Sequence, residues 1–168
     1  MYVFFLQAPR PVEPWNDVMD ATAEKIGCPS IVSMDTLQKL DDLIDIEDCL
    51  SMTITTPNVS GSYPILVYIH GEYLYEGSNS EAPPDYLLEK DLVLVVPQYR
   101  LGPFGFLSTK TEEIPGNAGV LDIFLALQFI KYFIKYFGGD NNKITVAGQV
   151  GGAAIAHLLT LSPKVKRT

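Results

Sequence analysis

Lys143-Ile-Thr-Val-Ala147, then Gly148-Gln149-Val150-Gly151-Gly152, then Ala153-Ala-Ile-Ala-His-Leu-Leu-Thr-Leu161 is the stretch that decides the fold. The β-branched run reads as a buried strand, the glycines as a tight turn, and the apolar segment before Pro163 as a helix. A strand that passes to a helix through such a turn has two well-known uses. A phosphate cradle needs G-x-G-x-x-G or G-x-x-x-x-G-K-[ST], with backbone N–H groups converging on the anion; neither spacing is present. A nucleophile elbow needs small residues two before and two after a strained apex, and Gly148 and Gly152 meet that demand. The apex is then Val150, whose side chain has no proton to lose and no lone pair to attack a carbonyl. Glycines that merely allow tight strand-to-helix packing fit the same residues, and the local sequence leaves both readings open.

Working outward, Ile65-Leu-Val-Tyr-Ile69 and Leu92-Val-Leu-Val-Val96 are continuous apolar strands of the kind buried on both faces of a parallel sheet. Met52-Thr-Ile-Thr-Thr56 is a further β-branched strand, and the turn from Pro57 to Tyr63 predicts a hairpin with the strand at Ile65. A short helix is expected from Pro84 to Lys90. Ala118 to Phe137 reads as one long helix, with Asn117 as its N-cap and Gly138-Gly139 as its stop. Asp122, Gln128, Lys131 and Lys135 interrupt that apolar run and favour a buried helix over a membrane span. Residues 1 to 50 are irregular, punctuated by Pro9, Pro11, Pro14 and Pro29, with one segment of helical period from Met34 to Ile46. Strands alternating with helices point to an α/β fold with a mostly parallel sheet.

The chain has 168 residues, 47% of them hydrophobic, which is enough for one core and too apolar for disorder. A net charge of −8 repels phosphate backbones, so nucleic acid is excluded as a partner. The only basic cluster, Lys164-Val165-Lys166-Arg167, reads as a solvated end. Cys28 and Cys49 permit one disulfide or two thiols. Met1-Tyr-Val-Phe-Phe-Leu6 lacks a basic region and runs into Pro9, so it does not read as a signal peptide. No metal ligand set or cofactor motif is present, and neither metal nor cofactor is expected.

Seven segments in order carry a specific likeness: Ala8-Pro-Arg-Pro-Val-Glu-Pro-Trp15, Cys28-Pro29, Glu47-Asp-Cys-Leu50, Ile69-His-Gly71, Gln98-Tyr-Arg-Leu-Gly-Pro-Phe-Gly-Phe-Leu107, Pro115-Gly-Asn-Ala-Gly119 and Phe137-Gly-Gly-Asp140. Together they resemble the N-terminal third of the type-B carboxylesterase/cholinesterase family of α/β-hydrolases. The resemblance implies that residues 1–168 are one partial α/β-hydrolase domain, with the acid and histidine of the triad expected beyond Thr168. His70 belongs to the oxyanion motif, and His157, on the elbow helix, is not at the position of a triad base.

Where the family's elbow reads G-E-S-A-G-G, this chain has Gly148-Gln149-Val150-Gly151-Gly152. Where the oxyanion loop reads H-G-G-G-F, it has His70-Gly71-Glu72-Tyr73-Leu74. Backbone N–H groups of that loop must approach an oxyanion to about 3 Å, and a carboxylate at Glu72 adds a like charge beside it. The resemblance therefore implies a catalytically inactive protein, similar to the family's adhesion members (neurotactin, glutactin, gliotactin and the neuroligins), acting through protein partners outside the cell. An active ester hydrolase and a truncated fragment without independent function are the alternatives. Whether the protein is anchored to a membrane is not legible in this chain. By the same resemblance Cys28 and Cys49 close the family's first disulfide loop, and Arg100 and Asp140 form a buried ion pair. Asn58-Val59-Ser60 is an N-glycosylation sequon in the turn before Ile65.

Overall fold

The computed structural model describes residues 6–22, 27–30, 48–82 and 84–165. The segment of helical period from Met34 to Ile46 lies outside them. Four strands, β1 (Met52–Thr55), β2 (Tyr63–Ile69), β3 (Val93–Pro97) and β4 (Gly139–Gly148), form one sheet in the order β1-β3-β2-β4. β2 runs parallel to both β3 and β4, and β1 is antiparallel to β3. The expected hairpin of β1 with β2 is thus wrong. β3 lies between them, with Met52 opposite Pro97 and Thr55 opposite Leu94. All five residues of β3 are buried, which its unbroken aliphatic sequence requires of a strand with neighbours on both sides.

The described residues also form three α-helices, α1 (Gly102–Phe106), α2 (Ala118–Phe133) and α3 (Gly151–Leu161). Helix α2 lays Ile130 and the following Ile134 on Ile65, Val67, Val93 and Val95. Helix α3 lays Ile155 and Leu159 on a second cluster with Ile69, Tyr99, Leu101 and Ile123. No helix among the described residues is long and apolar enough to cross a membrane.

Three local expectations are amended. The long helix is α-helical only to Phe133 and tightens into a 3-10 turn over Ile134–Phe137, which Gly138 closes at φ 78. Asn117 stands at the N-cap position, but at φ 58 in the left-handed region, so its side chain does not cap; its carbonyl accepts the Leu121 N–H at 3.1 Å. Between Pro84 and Lys90 only Leu87–Glu89 forms a 3-10 turn.

Cys28 and Cys49 are joined in a disulfide, both buried, as the resemblance implied. The implied pair of Arg100 with Asp140 is not formed. Arg100 follows β3 at the end of the sheet where Ile69 pairs with Gly148, whereas Asp140 begins β4 beside Tyr63, at the opposite end. Asp140 instead meets Lys143 at 3.2 Å and accepts the Asn142 N–H. The partner of Arg100 is Asp122, in the second turn of α2. Arg100 Nε and Nη2 donate to the two carboxylate oxygens at 2.8 and 2.5 Å, and the Arg100 backbone N–H donates at 3.1 Å.

Candidate functional site

The turn from β4 into α3 is built by close backbone approach. A Cβ on Gly152 would lie on the Ile69 carbonyl oxygen and 2.9 Å from that of His70; one on Gly148 would meet the Gly152 carbonyl. Only glycine fits at either place. Between them Val150 has φ 47 and ψ −109, and its side chain is 45% exposed. A β-branched residue at positive φ is a strained apex that thrusts its side chain off the sheet, which is elbow geometry rather than mere close packing. Gln149 accepts a hydrogen bond from the Tyr68 hydroxyl at 3.3 Å. His157 is exposed on α3.

The loop after β2 lies against this turn. Tyr73 and Leu74 take φ 50 and 66, a left-handed conformation that glycines would adopt without strain. Glu72 pairs with Glu76 in a one-residue bridge, its N–H donating to the Glu76 carbonyl at 3.2 Å. That donor is therefore spent inside the loop. Leu74, half-buried, packs into the α3 cluster and gives its carbonyl to the Gly102 N–H at 2.7 Å. A Cβ on Gly151 would stand 2.7 Å from Leu74 Cδ2 and 2.9 Å from Leu74 N. Leu74 thus fills the space that the family's alanine methyl would need, and the departures at 74 and 151 fit each other. Glu72 and Tyr73 are exposed.

Behind the loop is a buried polar row that the sequence did not reveal. Gln98 Nε2 donates to Asn79 Oδ1 and Asn79 Nδ2 to Thr53 Oγ1, each at 2.8 Å, and the Tyr99 hydroxyl donates to the His70 carbonyl at 2.7 Å. The His70 ring is fully buried, 4.8 Å from the Tyr99 ring, and neither nitrogen forms a hydrogen bond among the described residues. Burial lowers its pKa to about 4, although Gln98 beside it opposes the shift. The Glu81 carboxylate shares the approach to Gly77 with His70 Nδ1 and accepts the Ser78 N–H at 3.1 Å.

A folded pKa below the unfolded value of 6.5 means that the unfolded chain takes up the proton first as the pH falls. The stability is present above 6.5 and is lost progressively toward 4. Urea unfolding at pH 7 and pH 5 should therefore differ by about 2 kcal/mol. The His70→Asn variant should flatten that slope. A wild-type stability unchanged across this window contradicts the burial account.

The match to the "Carboxylesterase family" model spans residues 5–168. The chain belongs to that family. It is 41% identical over 157 residues to glutactin of Drosophila melanogaster, covering 93% of this chain and 15% of glutactin. It is 38% identical over 161 residues to the juvenile hormone esterase of Tribolium castaneum, covering 94% of this chain and 27% of that enzyme. The crystal structure of the Manduca sexta juvenile hormone esterase, with OTFP covalently attached, superposes with a TM-score of 0.84 at 31% identity, over 97% of this chain and 32% of that one. The chain thus spans less than a third of each of these relatives. The fold is the N-terminal part of an α/β-hydrolase, as the motifs implied.

Proposed function

We propose that this carboxylesterase-family chain is catalytically inactive and acts by binding protein partners at the cell surface or in the matrix. The observation that carries the reading is Val150 at the strained apex. An aliphatic side chain there supplies no nucleophile, whatever the rest of the site provides. Two further features support it. The Glu72 N–H is engaged by Glu76 rather than available to an oxyanion, and Leu74 closes over Gly151. The 41% identity to glutactin, one of the adhesion members named with the resemblance, agrees with a role exerted through surfaces. The disulfide agrees with an oxidising, extracellular setting.

An active hydrolase is the competing reading, and the esterases among the relatives favour it. It requires a nucleophile other than residue 150. Hydrolysis of p-nitrophenyl esters separates the two. The protein should give no turnover above a heat-denatured control, and neither should the Val150→Ser variant, because the loop's donor stays engaged. Turnover that titrates with an organophosphate would sink the reading.

A further inference from the structure

We propose that Asn58 carries an N-linked oligosaccharide, placed at the end of the sheet remote from the elbow. Asn58-Val59-Ser60 is the only N-x-[ST] sequon in the 168 residues. All three of its residues are exposed, and Val59 is 59% accessible. The turn shows its side chains outward because its backbone is held from within. The Asn58 carbonyl accepts the Gly61 N–H at 3.0 Å and lies so close to Gly138 that a Cβ there would strike it. Asn58 Oδ1 accepts the Ser60 N–H at 2.9 Å, a bond that does not use the amide nitrogen of this exposed residue.

The disulfide is an independent observation pointing the same way. Disulfides form and persist in oxidising compartments such as the secretory route, where a sequon also meets its modifying enzyme. In the transfer, Asn58 Nδ2 forms a bond to the anomeric carbon of the first sugar of a polyprenyl-pyrophosphate-linked oligosaccharide. The bond from that carbon to the pyrophosphate oxygen breaks, the pyrophosphate leaves with the electron pair, and the amide gives up one proton. No oxidant or reductant is needed.

The position bears on partners. The turn enters β2 at Tyr63, whose N–H donates to the Gly138 carbonyl, and the elbow lies at the other end, beside Ile69. Seven strand residues separate the two ends by roughly 20 Å. A bulky, hydrated glycan would bar a protein partner from the Asn58 end and leave the elbow end open.

The test is expression in animal cells behind a cleavable leader, with an appended tag bearing its own sequon to report entry into the secretory route. The wild type should carry one more oligosaccharide than Asn58→Gln and than Ser60→Ala. Peptide N-glycosidase should convert Asn58 to aspartate in the wild-type peptide. Ser60→Ala keeps the asparagine and so separates loss of the glycan from damage to the turn, and the wild-type peptide reads occupancy even if both variants misfold. Disulfide-bonded protein with a glycosylated tag and an unmodified Asn58 overturns the proposal.

Discussion

Asp122→Ala should destabilise the protein by about 3–5 kcal/mol, the usual cost of stranding one partner of a buried ion pair. Arg100 and Asp122 are 4% and 1% exposed at their side chains, so neither charge has water to fall back on. The substitution removes the acceptor of three hydrogen bonds at once, from Nε, Nη2 and the Arg100 backbone N–H. It also loosens a second tie, because Arg100 Nη1 donates to the Gln7 carbonyl at 2.8 Å and so holds the N-terminal segment to the sheet. Urea unfolding measures the loss, and Asp122→Asn, which retains an acceptor, should fall between. Asp140→Ala is the control. Its carboxylate is partly buried but pairs with an exposed Lys143, and its removal should cost much less than that of Asp122. A large effect at 140 and none at 122 would restore the pairing that the sequence resemblance implied.

Replacing Cys28 and Cys49 together by alanine should cost about 3 kcal/mol, from the chain entropy regained by an unfolded loop of this length. The residues are 21 apart in sequence and buried at 4% and 3%, so packing is lost as well as the cross-link. Thiol titration of unfolded, unreduced wild type should find no free thiol, and the double variant should unfold at lower urea. Two titratable thiols in the wild type would contradict both the bond and the extracellular setting.

These two cases show what was legible in the sequence. The strand-helix alternation was, because an unbroken aliphatic run tolerates few substitutes; the cysteines and the glycine turn stood out by residue type, but each kept two readings until the family resemblance chose between them. The β1–β2 hairpin was misread because a short turn says where the chain bends and not which strand it pairs with. The parallel pairing of β2 with β3 is made across residues 70–92, and the turn before β2 carries no trace of it. Arg100 was rightly singled out and wrongly partnered. The missed signal lay in α2, where Ala118, Asp122, Ala126 and Ile130 recur every four residues and are all buried. That spacing puts Asp122 on the core face, where an acid needs a cation. The His70, Gln98 and Asn79 row had no such periodicity, since three separate segments supply it.

At the site, the sequence showed which residues depart from the family and not that the departures interlock. Leu74 over Gly151 is a contact between residues 77 positions apart. It means that reverting one position at a time meets a neighbour shaped for the other.

Incubating the purified protein with a reactive organophosphate and weighing it intact tests most directly whether the chemistry of the elbow is gone. With Val150 at the apex, the mass should be unchanged. A stoichiometric adduct on a residue of the β4–α3 turn would contradict it.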